Sequence, residues 1–566
     1  MRGFCSVCTG LVLACAAVGA EQPVTTERLI HPEPGNWLLP HRTYNGWQYS
    51  PLTEINKKSV GRLELAFALP LGMRADGGGD NQAAPLVDAG FMYLVDPTGT
   101  VFKIDVHGTR ARTVWTFDTA TPPPQQGASR GVALMGDRVI VNTRDGRVIA
   151  LRRDTGDPIW EKQIGVPHEG FAAPPMIVND LVIVGQSFGD VGTRGFVAAL
   201  DGNTGAERWR FYTVPGPGEP GHETWPSDND AWMTGGGSIW VASTYDPQTH
   251  SLFIGTSNPA SALDPEERPG DNLYTASTVV LDADSGKLKW YHQYTPNDPM
   301  EHDENSPHLL FDVPIAGRTR QVLGHFSRTG YYFTLDRNSG AFIGAAPFQD
   351  KITWTDGIDP KTGMPVEYDA SKAIQSYKIN ARRGEGKSTY CGGGYGSGFW
   401  PPAYDPERRR VYHMFINTCF TVAVKPERGS AQERFGKMGL AGSLYATVED
   451  PTLAALDAQS GRIVVKKGIG IISQSGVLAT AGGLVFLGLG DGTLQARDSD
   501  TLETRWSINM GTPFKAPPVS YAVDGKQYIA ILGGGGALAF GGVSVPALAD
   551  VRNSSMLFVF SLPAPR

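Results

Sequence analysis

An all-β fold assembled from repeated sheets is what this sequence predicts, on three observations. The pattern Ala-x-Asp-x-x-x-Gly-x-x-x-Trp recurs along the chain. Short alternating strands precede and follow each copy, bounded by turn residues. No amphipathic helical stretch of any length interrupts that rhythm. Gly 70 and Pro 41 are spread along the 566 residues, as many turns require.

The copies can be followed in order. IDVHGTRARTVW, ending at Trp115, is a loose one, and ALRRDTGDPIW keeps Ala150, Gly156 and Trp160 with Arg152 in place of Asp. AALDGNTGAERW is complete, with Ala199, Asp201, Gly205 and Trp209, and VLDADSGKLKW has Asp282, Gly286 and Trp290. TLDRNSGAF (Asp336, Gly340) and ALDAQSGRI (Asp457, Gly461) lack the Trp, while ARDSDTLETRW has Leu502 for Gly. Before nearly every copy stands a strand such as DLVIVG, HSLFIG or GLVFLG. Strand, strand, turn, strand at this spacing is the grammar of a β-propeller blade. Roughly 480 residues outside the leader and tails accommodate about eight blades of some 60 residues. The expectation is a leader over 1–20 and a single eight-bladed propeller over 21–566.

The leader MRGFCSVCTGLVLACAAVGA carries one Arg, an apolar run and a small-residue end at Val18-Gly19-Ala20. It reads as a signal peptide of an exported, periplasmic or secreted protein; a lipoprotein anchor at Cys15 is the weaker alternative. No segment is long enough to span a membrane. Behind the leader only Cys391 and Cys419 remain, which in an oxidising compartment most simply make one disulfide. No Cys-x-x-Cys-His occurs, so no c-type haem is expected on this chain. A net charge of -7 without a basic patch makes nucleic acid an improbable partner. GYGSG and the glycines at 533–536 do not sit between a strand and a helix, which argues against a dinucleotide site.

TPNDPMEHDENSP, Thr295 to Pro307, packs Asp298, Glu301, Asp303 and Glu304 into seven residues. Such a run reads either as a solvated acidic loop or as carboxylates gathered around a metal. Nothing local decides between them.

Longer stretches bear on the choice. NWLLPHRTYNGWQYSPLTEINKKSVGRLELAF, GGGSIWVASTYDPQTHSLFIGTSNP, RPGDNLYTASTVVLDADSGKLKW, WTDGIDPKTGMPVEY and GVLATAGGLVFLGLGDGTLQARD resemble segments of the pyrroloquinoline-quinone (PQQ) dependent alcohol dehydrogenases. The resemblance covers nearly all of the mature chain and fits the methanol-dehydrogenase type of propeller. It implies a quinone and a metal in the central channel, Ca²⁺ or a lanthanide. On that basis Trp240 floors the quinone, and Arg130 and Ser187 contact the cofactor. Asp190, Asn258, Glu301 and Asp303 are metal ligands. Glu301 stands at the catalytic-base position, Arg328 lies near the quinone oxygens, and Cys391–Cys419 matches a family disulfide. The implied activity is oxidation of an alcohol or related hydroxyl compound, with electrons passed to a separate cytochrome c. Asp190 and Glu301 each replace the other acid of the family pattern. Pro124-Gln125 stand for a capping Cys-Cys pair, Gln82 for an acid, Ala172 for a Thr, Gln474 for a Trp and Gly398 for an Asn. Those departures leave a second reading open: a cofactor-free propeller serving as a binding or scaffold protein.

Overall fold

The computed structural model describes residues 21–564 except 74–78, 109, 123–126, 316, 380, 394–395, 428–441, 536–544 and 546–547. The leader, Cys15 and Pro124-Gln125 therefore lie outside the described residues. Among those described, eight sheets follow one another along the chain, six of four strands and two of five. Each is built on an antiparallel meander, as in Met176–Val178, Leu181–Gly185, Phe196–Asp201 and Glu207–Tyr212, and one gains Tyr49–Ser50 as a parallel edge strand beside Val477–Thr480. The only α-helix among the described residues is Thr26–Ile30, and no helix there is long and apolar enough to cross a membrane.

Burial falls from the first strand of a sheet to the fourth. Met176–Val178 is wholly buried, whereas Pro158–Gln163 buries only Trp160. First strands thus line the centre and fourth strands face outward, the arrangement of a β-propeller. The ring is closed by the two ends of the chain. Glu64–Pro70 pairs antiparallel with Met556–Ser561, so an early strand completes a sheet otherwise made of the last three.

The repeat has a physical explanation at each of its positions. Asp201 Oδ1 accepts from the amides of Asn203 and Thr204, and Asp282 Oδ1 does the same for Ser285, fixing the turn. The Gly that follows adopts φ +71° at Gly205 and +69° at Gly286. A Cβ on Gly205 would lie 2.7 Å from Trp160, and one on Gly286 2.5 Å from Trp209. The Trp of one sheet therefore lies flat on the turn of the next. Its indole N–H donates to a carbonyl there, Trp160 to Gly202 and Trp209 to Ala283, each at 3.1 Å. The loose copy behaves as a full one, since Trp115 covers Gly156 and donates to Arg153 O. Trp290 covers Gly340 in the same way. Where no Trp is available, Tyr332 covers Gly461. Leu502, in place of the last Gly, keeps φ +59° and is fully buried.

One sheet departs from the rest. Arg410–Val424 and Gly442–Asp457 are 15 and 16 residues long, extending past their neighbours. Cys391 and Cys419 face each other across this extension and form the predicted disulfide, S–S 1.97 Å.

Candidate active site

In an antiparallel meander the start of the first strand and the end of the second lie together. Arg130 and Trp240 precede the first strands Ala133–Met135 and Thr244–Asp246. Ser187, Asn258 and Arg328 follow the second strands Leu181–Gly185, Ser251–Gly255 and Arg318–Phe326. The acidic loop leaves the fourth strand Leu288–Gln293 toward the same end. Residues far apart in sequence thus meet at one mouth of the central channel, around a cavity of about 230 Å³. Every predicted catalytic, cofactor-contacting or metal-ligating residue lines it except Asn258, which borders it through Asp190 and Asp303.

The acidic run is not a solvated loop. Asp298, Glu301, Asp303 and Glu304 are all at most 7% exposed. They divide into two pairs. Asp298 accepts from the amides of Met300 and His302 and holds the loop's shape. Glu304 accepts from the Ser327 hydroxyl and meets His325 Nε2 at 2.7 Å. Glu301 and Asp303, by contrast, line the cavity. Asp303 pairs with Arg328 at 2.8 Å and accepts from the Asn258 amide at 3.1 Å. Arg328 also donates to the Glu301 carbonyl, and Asn258 Nδ2 to Asp190 at 3.2 Å.

This clustering is electrostatically loaded. Burial, reinforced by Asp303, pushes the Asp190 carboxyl up to about 7. Burial together with Asp190 pushes Glu301 to about 8. Bringing carboxylates together out of water favours the protonated form, and a cation among them would reverse that preference. Asn258 Oδ1 is buried with no hydrogen-bond partner, which suits this amide oxygen to coordinate a cation. Among the described residues no three His, Cys, Asp or Glu side chains close into a cage by themselves. An ion here would draw on the amide oxygen and on oxygens of a second bound group. All-oxygen donors of this kind fit a hard cation such as Ca²⁺.

The remaining walls are aromatic and cationic. With the Asn305 amide turned so that its oxygen faces the indole, Trp240 Nε1 donates to it at 2.6 Å. Arg130 donates to Trp240 O at 2.8 Å and lies 4.7 Å from the ring centroids of both Trp240 and Phe399. Arg130 Nε is buried without a partner. The Ser187 hydroxyl is tied to Ile239 O and to the amide of Ala172. Gln82 is buried beside Asp80, which pairs with Lys515 at 2.8 Å, so an acid persists two residues before the position where one was missing. A flat aromatic floor, cations at one side and oxygen donors at the other suit a planar polyanion that shares a metal with the protein.

Arg144, Phe188 and Ser238 also line the cavity and carried no sequence signal. Arg144 sits in an ordinary turn between Arg138–Asn142 and Arg147–Arg152, and only the closed ring brings it here.

Comparison with known proteins agrees with this geometry. Residues 37–347 and 453–529 match the family model described as PQQ glucose/ethanol/alcohol dehydrogenase, β-propeller domain. The chain is 32% identical over 578 residues to the quinohemoprotein alcohol dehydrogenase ADH-IIG of Pseudomonas putida, covering 94% of this chain and 78% of that protein. It is 32% identical over 550 residues to the quinoprotein alcohol dehydrogenase PedH of P. putida KT2440, covering 92% and 89%. A europium-containing methanol dehydrogenase superposes with a TM-score of 0.86 at 27% identity, covering 95% of this chain and all of that one. The chain belongs to the PQQ-dependent alcohol dehydrogenases, a family of β-propeller quinoprotein oxidoreductases.

Proposed function

We propose that this protein is an exported, eight-bladed quinoprotein that oxidises an alcohol or related hydroxyl compound with PQQ and a metal in the cavity described above. The observation that carries the reading is the convergence of Glu301, Asp190, Asn258 and Arg328 beside Trp240 at one channel mouth. When bound, the quinone with its metal supplies the hydride acceptor. Asp190, Asn258 and Glu301 would hold the ion, with Asp303 as a further carboxylate. Trp240 would floor the quinone ring, and Arg130 with Ser187 would anchor its edge.

Glu301 is the base. Its carboxylate would take the hydroxyl proton as hydride leaves the carbon, and a cation beside it would keep that carboxylate ionised near neutral pH. Arg328, oriented by Asp303, would offer a cation to stabilise negative charge on the cofactor once bound. Both Asp303 oxygens already have partners, Arg328 and the Asn258 amide. Its use as a ligand depends on an ion charged enough to share it, which favours a lanthanide over Ca²⁺ at that position. The disulfide Cys391–Cys419 supports an oxidising, periplasmic location, and the predicted leader over 1–20 agrees with it. The electron acceptor in this reading is a separate cytochrome c.

The test is a titration of purified mature protein with PQQ in Ca²⁺ and, separately, in a light lanthanide. Cofactor absorbance and alcohol-dependent dye reduction are read together. Stoichiometric binding with alcohol-dependent reduction establishes the function, and the preferred ion reports on Asp303. Absence of binding in both ions would leave the alternative, a propeller that serves as a binding or scaffold protein.

A further inference from the structure

Arg144 belongs to the turn Thr143–Gly146, whose closing hydrogen bond runs from the Gly146 amide to Thr143 O. Its guanidinium lies 4.3 Å from the centroid of the Phe188 ring. Phe188 follows Ser187 directly, on the same cavity wall. The guanidinium also packs against the backbone at Gly127, where a Cβ would come within 3.2 Å of it. Aromatic stacking and this backbone contact restrict the arginine, so less entropy is lost when it binds an anion.

The charges of the cavity are sorted. Asp190 and Glu301 act on each other, with Asp303 and Arg328 close by. Arg130 feels Arg144, which after burial is the main influence drawing its guanidinium down to about 9. One end is therefore a cluster of acids with one arginine, and the other holds two arginines on the cavity wall, with Asp80 also acting on Arg130. Two half-buried arginines on one cavity wall suit a multiply charged anion between them. The same end has lost polar contacts elsewhere, with Ala172 offering a methyl group and Gln82 a neutral amide.

We propose that Arg144 is a further cofactor-binding residue, forming with Arg130 a two-arginine clamp on the carboxylates of the quinone at the end remote from the metal. This rests on the PQQ reading above and deepens it. The clamp supplies by charge the affinity that the missing contacts forgo.

The experiment is equilibrium binding of PQQ to the metal-loaded mature protein, followed by cofactor absorbance, for wild type, Arg144→Met and Arg144→Lys. Each is measured with PQQ and with its trimethyl ester, in low and high NaCl. Loss of one charge-assisted contact predicts about tenfold to a hundredfold weaker PQQ binding by Arg144→Met. Arg144→Lys retains most of the affinity, and the ester binds both variants as it binds wild type. Added salt weakens wild-type binding of PQQ more steeply than that of Arg144→Met. The clamp is overturned if Arg144→Met binds PQQ as wild type does, or if the ester loses affinity equally. Should Arg144→Met fail to fold, Arg144→Lys and the ester-versus-acid salt dependence of wild type decide alone. If wild type binds PQQ in neither ion, the functional reading itself fails, which is a different result from an indifferent Arg144.

Discussion

The carboxylates of the docking turns and those of the acidic loop are the same functional groups put to opposite uses. Asp282 is about a third exposed at 32%, accepts from the amide and hydroxyl of Ser285, and is held below the usual carboxylate range chiefly by that hydroxyl. Glu301 is 7% exposed and is driven upward by burial and a facing acid. An acid that repeats with the blades stabilises a turn by staying ionised among donors. An acid that occurs once, with its charge desolvated, stores reactivity instead. The comparison separates scaffold from site without reference to any bound group, and it can be tested from both sides.

The largest effect is expected at Glu301. Glu301→Gln keeps the shape and removes the base, so alcohol-dependent dye reduction by PQQ-loaded protein should fall by about 10² to 10⁴. The melting temperature of the metal-free protein should hold, because a carboxyl pushed to about 8 is already largely uncharged near pH 7 and the amide keeps its shape. Unchanged turnover would move the base to Asp190 or Asp303 and break the comparison. Next comes a docking glycine. Gly286→Val places a Cβ 2.5 Å from Trp209 at φ +69°, and unfolding should become about 3 kcal/mol easier. Calorimetry checks this against Gly511→Ala, at φ +75° with open space around it, which should lose no more than about 1 kcal/mol.

These two sites also differ in how far the sequence reveals them. The docking turn is written locally, and AALDGNTGAERW carries in one stretch the Asp that caps, the Gly that must lack a Cβ and the Trp that covers the next turn. Its relaxed copies are harder to read: nothing within TLDRNSGAF indicates that Tyr332, two residues upstream on the same strand, takes over Trp's place against Gly461. The acidic loop is different. Its composition shows four carboxylates, but burial decides their roles, and burial depends on sheets far away in the chain. Asp298 and Glu301 look alike in sequence, yet one ties down the loop and the other lines the cavity. Resemblance to a family could locate Glu301, Asp190 and Arg328. It could not find Arg144, which lies in a turn of ordinary composition and reaches the site only through ring closure.

Buried histidines give a third effect, of intermediate size. His308 shares a 2.7 Å hydrogen bond with Thr278, and His413 stacks on Phe326 with centroids 4.0 Å apart. Burial draws both imidazoles down to about 3. Each is neutral in the folded protein and takes up a proton near pH 6.5 once unfolded. At these two rings the unfolded state thus binds more protons below pH 6.5, so their contribution to stability falls as the pH drops, opposite in sign to that of the raised acids Glu301 and Asp190. Between pH 6.5 and 5.5 the two together should remove about 2 kcal/mol. Chemical denaturation across that range measures it, and His413→Phe should flatten the slope. A slope in His413→Phe equal to that of wild type would mean that this ring is charged in the fold.

The smallest effect is expected at Asp282, and its smallness is what makes it informative. Asp282→Asn keeps an oxygen that can accept from the Ser285 amide, now 3.0 Å away, and loses only the weak pairing with Lys289 at 3.8 Å. An exposed pair of that length contributes little, so the loss should be about 0.5 kcal/mol. Asp282→Ala removes the acceptor as well and should cost about 1 kcal/mol. Neither should change PQQ affinity or turnover, since the turn lies at the outer strands, away from the channel mouth. If Asp282→Asn lowered turnover without lowering the melting temperature, the docking turns would be coupled to the site. The division between acids that hold blades and acids that do chemistry would then have to be redrawn.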